Sequence, residues 1–226
     1  MGSRHGPRRG GNPGFLLHFA LVKPCPVLAA HALRLVMTSA ENSYDRDALL
    51  ALIRSESLRR GDFTLASGKK ASYYLDCRQV TLHPQGTNLI AAGMIEVMRS
   101  GGDLPDAVGG MAIGADPITA SIVTLAGQQG LPLKGFMVRK EAKGHGTGKQ
   151  VEGPVAPGQS VVIVEDVITT GGSAIKAVDA VREFGLDVRY VIGIIDRLAG
   201  GSEAFAAKGL ELKTLCTIRD FGIEPE

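Results

Sequence analysis

The strongest chemical signal in the sequence is the run Val161-Val-Ile-Val-Glu165-Asp166-Val-Ile-Thr169-Thr170-Gly171-Gly172-Ser173. Its four leading apolar residues predict a buried strand. That strand would carry two adjacent carboxylates to its carboxyl end, the edge where ligands sit in an open α/β sheet. Thr169, Thr170 and Ser173 offer hydroxyl groups. Gly171 and Gly172 let the backbone curl so that several N–H groups converge on one anion, and a helix start adds its positive end. The pattern predicts a phosphate cradle with an acidic pair beside it. The run has neither the GxxxxGK[ST] spacing of a triphosphate P-loop nor the GxGxxG of a dinucleotide site. A carboxylate pair suits a sugar with vicinal hydroxyls, which can donate to the acids or share a metal with them.

Three further segments carry candidate groups. Arg139, Lys140, Lys143 and His145 fall within seven residues, among Gly144, Gly146 and Gly148. Residues 139–158 show no regular periodicity and read as a mobile loop or a long hairpin tip. Ile195-Asp196-Arg197 ends an apolar run, so Arg197 is expected on the ligand-bearing edge. An arginine there can grip a planar carboxylate through two parallel hydrogen bonds. Gly109-Gly-Met-Ala-Ile-Gly114-Ala-Asp116-Pro117 is a second glycine-rich loop, entered from a short strand.

The elements that must position these groups follow from periodicity. Helices are expected over 45–59, 87–100, 117–129, 172–184 and 203–208, and apolar strands over 106–111, 133–138, 160–164, 188–195 and 210–218. Residues 63–76 read as a hairpin-like pair of short strands around Ser67-Gly68. Strands alternating with helices predict an α/β fold with a central, mostly parallel sheet flanked by helices.

Composition narrows the function classes. The 226 residues are long enough for one full α/β core. Residues 1–40 hold five basic side chains and no Asp or Glu, and the rest of the chain holds 20 basic and 23 acidic ones. The formal charge of +2 therefore hides a mildly acidic remainder, which argues against nucleic-acid binding. No apolar run reaches the length of a membrane span. The three cysteines form no CxxC pair, which fits a cytoplasmic protein without a disulfide framework. Residues 1–40 are read as an N-terminal extension, disordered or a non-native start ahead of Met37. A targeting segment and a real added element are the alternatives.

Residues 161–173 closely resemble the phosphoribosyl pyrophosphate motif of the type I phosphoribosyltransferases. Within that family the resemblance is closest to the orotate phosphoribosyltransferases and covers most of residues 41–226. Two more segments support it. Val138-Arg-Lys-Glu-Ala-Lys-Gly-His-Gly146 is similar to their catalytic loop, and Phe63-Thr-Leu-Ala-Ser-Gly-Lys-Lys-Ala-Ser-Tyr73-Tyr74 to their N-terminal base-covering segment.

The resemblance implies a five-stranded parallel core with a small hood from the N- and C-terminal segments. It implies transfer of a phosphoribosyl group from phosphoribosyl pyrophosphate to orotate in pyrimidine synthesis. Glu165 and Asp166 would hold the ribose, and residues 169–173 the 5′-phosphate. Arg197 would take the orotate carboxylate, with Lys69, Tyr73 and Tyr74 covering the base. Lys140 would serve its own subunit, while Arg139, Lys143 and His145 would reach the partner's site in a homodimer with shared active sites. Mg²⁺ would be held mainly by substrate, aided by Asp166 or Asp116. Some orotate enzymes carry Lys at the positions of Ala66 and Gly114; this chain has neither. A purine phosphoribosyltransferase and a phosphoribosyl pyrophosphate-sensing regulator are the competing readings.

Overall fold

Valine and isoleucine dominate the central strands because both faces of the sheet are covered. The computed structural model of the chain describes residues 2, 44–64, 70–141 and 150–225. Apart from Gly2, these residues fall within one compact unit spanning Glu41–Glu226. The first described helix, α1 (Arg46–Leu52), is capped by the Asp45 side chain, which accepts from Ala48 N–H. It runs into a π turn over Ile53–Ser57. There the chain leaves the helix. The expected continuation to Arg59 is not found, because Leu58 and Arg59 pair with Leu75 and Tyr74 as the start of a strand. This strand, β1 (Leu58–Thr64), and β2 (Lys70–Leu75) form a two-stranded antiparallel sheet. The Ser67-Gly68 turn between them lies outside the described residues.

A short helix that periodicity did not predict, α2 (Arg78–Thr81), leads into α3 (Pro84–Ser100). Proline occupies the first helical position of α3, where its missing N–H costs nothing. The main sheet contains β3 (Ala107–Met111), β4 (Lys134–Val138), β5 (Val151–Glu152), β6 (Ser160–Ile168), β7 (Asp187–Asp196) and β8 (Leu212–Thr217), in the spatial order β5-β4-β3-β6-β7-β8. Five of these strands run parallel, as expected. β5 adds a short antiparallel edge that closes a hairpin with β4. The remaining helices are α4 (Ala115–Gln128), α5 (Gly172–Glu183) and α6 (Gly201–Ala206).

Alternation along the strands separates two cores. Val162, Val164, Ile192 and Ile194 face one side and pack with α3 and α4, through Ile90, Met94, Ile118 and Ile122. Val161, Ile163 and Val191 face the other side and pack with Ala174, Val178 and Val181 of α5. The α1–β1 segment is tied to residues 220–221 near the C-terminus. Arg46 pairs with Asp220 at 2.9 Å, Arg54 donates to Asp220 O, and Arg60 donates to Phe221 O. Cys77 and Cys216 are buried free thiols and pack as small apolar groups.

Candidate active site

Strand order locates the site before any side chain is considered. From β3 the chain moves outward to β4; from β6 it moves the opposite way, to β7 and β8. The boundary between β3 and β6 is therefore a topological switch point. The loops leaving these two strands part to opposite faces and open a crevice at their carboxyl ends. The register shows the opening. β3 pairs with β6 only as far as Gly109–Ile163, whereas β6 continues beside β7 to Ile168–Asp196. Glu165 and Asp166 thus lie within the extended strand, and their β3 side is open.

The glycine-rich loop after β3 returns to face them. It contains a cis Ala112–Ile113 peptide bond. A Cβ on Gly114 would lie 3.4 Å from Glu165 Oε1 and 3.8 Å from Asp166 Oδ1. With glycine at 114, no side chain from this loop position fills the corner beside the carboxylates.

The acidic pair is electrostatically uncomfortable. Glu165 is only 7% exposed. Its Oε2 is buried without a hydrogen-bond partner. Its carboxyl is pushed up to about 8, first by burial and second by the negative charge of Asp166. Asp166 Oδ1 accepts from Val167 N–H at 2.7 Å. Its charge also reaches Cys77, just after β2. There it adds to burial in raising the thiol's pKa.

Beyond the pair the chain turns through the cradle. Gly171 has φ +76° and precedes α5. A Cβ there would meet the buried Phe205 ring at 3.0 Å, so both conformation and space call for glycine. The bond from Ile175 N–H to Gly171 O, 2.9 Å long, opens the helical ladder. The amides of Gly172, Ser173 and Ala174 precede it and are the orphan donors of the helix start. A pocket of about 420 Å³ is lined by residues 165–174 and Lys176. Lys176 was not singled out by motif reasoning. The signal was there: it sits one turn into the helix that the cradle opens, where its chain can return toward the helix start.

Arg197 follows β7 at the same sheet edge. Its N–H donates to Ile168 O at 2.8 Å, which fixes its backbone beside the cradle's entry. Its Nε donates to the Tyr73 hydroxyl at 2.7 Å, and its guanidinium carbon lies 4.8 Å from the Tyr73 ring centroid. Tyr74 alternates to the other face of β2, is 41% exposed, and stands 5.8 Å from the Phe63 ring. The structure therefore brings Tyr73, and not Tyr74, to Arg197.

The charged loop is described only at its base. Arg139 Nε pairs with Glu152 Oε1 at 2.6 Å, across the neck of the β4–β5 hairpin, and Lys140 is exposed. Lys143, His145, Lys69 and Ala66 lie outside the described residues. Asp116 sits in the first turn of α4, where burial raises its carboxyl; it does not line the cradle.

Residues 78–211 match the family model described as the phosphoribosyl transferase domain. An orotate phosphoribosyltransferase of Rhodopirellula baltica is 69% identical over 193 residues, covering 84% of this chain and 100% of the relative. The chain belongs to the orotate phosphoribosyltransferase family. A second relative of that name, from Thermosynechococcus vestitus, is 46% identical over 178 residues and covers 77% of this chain and 92% of its own length. Among solved structures, the orotate phosphoribosyltransferase of Mycobacterium tuberculosis H37Rv in complex with phosphoribosyl pyrophosphate superimposes with a TM-score of 0.67 at 36% identity. It covers 79% of this chain and 99% of its own. Adenine phosphoribosyltransferase from Leishmania donovani, at 17% identity and a TM-score of 0.55, shares the fold alone. The α/β architecture expected from sequence is thus the type I phosphoribosyltransferase fold.

Proposed function

We infer that the chain transfers the phosphoribosyl group of phosphoribosyl pyrophosphate to orotate, releasing pyrophosphate and forming orotidine 5′-monophosphate in pyrimidine biosynthesis. The observation that carries this reading is the grouping at one sheet edge of the acidic pair, the phosphate cradle and a carboxylate-seeking arginine. Fold and family membership support it.

The cradle at residues 169–173 takes the 5′-phosphate on its backbone N–H groups and hydroxyls, with Lys176 adding a positive charge at its rim. Glu165 and Asp166 accept hydrogen bonds from the ribose 2′- and 3′-hydroxyls. The negative charge of Asp166 also favours a cationic sugar as the bond to pyrophosphate breaks. Arg197 takes the orotate carboxylate bidentately and so turns the ring nitrogen toward the anomeric carbon. Uracil lacks that carboxylate and forfeits the contact.

The acid pair also fits a hard cation. Glu165 Oε2 is an unpartnered carboxylate oxygen beside Asp166, and Asp166 lines the pocket whereas Asp116 does not. A Mg²⁺ ion held chiefly by substrate oxygens would be aided by Asp166. Bound there, the ion would offset charge on the pyrophosphate. Lys143 and His145 complete the leaving-group side, in a homodimer whose subunits exchange the charged segment that follows β4, with Arg139 alongside and Lys140 serving its own subunit. The cytoplasm is the proposed location, on family membership; separately, among the described residues no helix is long and apolar enough to cross a membrane.

The deciding experiment is a steady-state assay with phosphoribosyl pyrophosphate and Mg²⁺, offering orotate, uracil, adenine, hypoxanthine and xanthine separately. Turnover with orotate alone is expected. Turnover with a purine instead would discard the acceptor assignment and keep the phosphoribosyl site. Silence on every base would favour a ligand-sensing role.

A further inference from the structure

Tyr73 and Arg197 are 124 positions apart in sequence, yet a side-chain hydrogen bond joins them, from the β1–β2 sheet to the end of β7. Tyr73 is 5% exposed. Its ring packs within the main core, so the hydroxyl is delivered to a fixed point. Arg197 is held at both ends: its backbone N–H by Ile168 O, and its Nε–H by the Tyr73 oxygen. The 4.8 Å distance from guanidinium carbon to ring centroid adds a cation–π contact across one face. A guanidinium has five N–H donors in a rigid fork. Committing Nε–H to the tyrosine fixes the plane of the fork and leaves the terminal Nη edge for a ligand.

We propose that Tyr73 is a positioning residue. Its hydroxyl holds Arg197 in one orientation, so that the Nη edge meets the acceptor's carboxylate without first having to be ordered. This rests on the reading of Arg197 given above, and it assigns Tyr73 a task other than covering the base. The alternation of β2 agrees with that task. Tyr74 is turned to the opposite face, so the two tyrosines do not form one stacking platform. An arginine already fixed in the free protein loses little rotamer freedom on binding, and that raises affinity for the group it faces without touching the bond-breaking step.

Tyr73→Phe tests the proposal, because it keeps the ring and removes the hydroxyl. The KM for orotate should rise about fivefold to tenfold, the scale of one typical net hydrogen bond. The kcat and the KM for phosphoribosyl pyrophosphate should stay within about twofold. Arg197→Ala alone should raise the orotate KM further, and adding Tyr73→Phe to it should change nothing more, since the tyrosine acts through the arginine. KM does not depend on the fraction of enzyme that is folded, so partial misfolding cannot mimic this pattern. An unchanged orotate KM in Tyr73→Phe, with a raised one in Arg197→Ala, would overturn the positioning role and leave the arginine's role intact. An unchanged KM in Arg197→Ala would overturn both. Fully additive effects would show that Tyr73 acts on the acceptor by itself, and that too would sink the proposal.

Discussion

The two halves of the site are built in opposite ways. The proposed ribose-phosphate half is a single stretch of chain, residues 165–176, in which strand end, turn and helix start follow one another. The proposed acceptor half is a meeting of Tyr73 and Arg197, delivered by different sheets and joined by one 2.7 Å bond. The contiguous half is fixed by local backbone geometry, so it tolerates little change in backbone. The assembled half is fixed by side-chain contact, so it should fail gradually and selectively. Substitutions in the first should therefore damage handling of phosphoribosyl pyrophosphate, and substitutions in the second should damage only the choice of base.

The sharpest break should come from Asp166→Asn. Removing a charge aimed at the developing cation should lower kcat by about 100-fold, the usual scale for one electrostatic partner of a transition state. The orotate KM should hardly move. A kcat within threefold of wild type would remove Asp166 from the chemistry. Arg197→Ala should act in the complementary way, raising the orotate KM by about 30-fold through loss of a charged hydrogen-bonding partner, with phosphoribosyl pyrophosphate binding unchanged. If both substrates weaken equally in steady-state kinetics, the division between the halves is not real.

Gly171→Ala should raise the KM for phosphoribosyl pyrophosphate about tenfold. A left-handed alanine costs about 1–2 kcal/mol, and its methyl would press on Phe205. Retention of wild-type kinetics and thermal midpoint would show that the cradle can relax.

The smallest effect is on stability. Glu165 has a folded-state pKa raised from 4.5 to about 8, so folding favours its protonated form. Its contribution is most favourable below about 4.5 and is lost as pH rises through about 8. The carboxylates whose pKa is lowered by their partners, Asp76, Asp106 and Asp220, lose their contributions on the acid side instead. Between about pH 5 and 8, the thermal midpoint of the wild type should therefore fall more steeply than that of Glu165→Gln. Parallel curves would mean that the acid pair is better solvated than its burial indicates.

Much of this was legible from residues alone. The order Val-Val-Ile-Val, Glu-Asp, Thr-Thr-Gly-Gly-Ser specifies strand, acids and anion cradle in sequence, because each step depends on neighbours within a few positions. The alternation of apolar runs and helices likewise specified a parallel α/β sheet, and five parallel strands are present. Local patterns misled where a distant partner decided. The helix expected to reach Arg59 yields to a strand at Leu58, because Leu75 and Tyr74 supply hydrogen bonds that helical propensity does not foresee. β6 runs past Val164 to Ile168 because β7 remains beside it.

The sequence by itself thus determined the strand, turn and helix start at residues 160–183, the presence of an acidic pair and the class of fold, since these are properties of contiguous backbone and of hydrophobic period. Only the tertiary structure decided that Gly114 opens onto Glu165, that Tyr73 and not Tyr74 reaches Arg197, and that Arg139 is engaged with Glu152 at the hairpin neck. Each of these depends on register and side-chain direction between segments far apart in the chain. A one-residue change of register would turn the other tyrosine inward, and composition is blind to that difference.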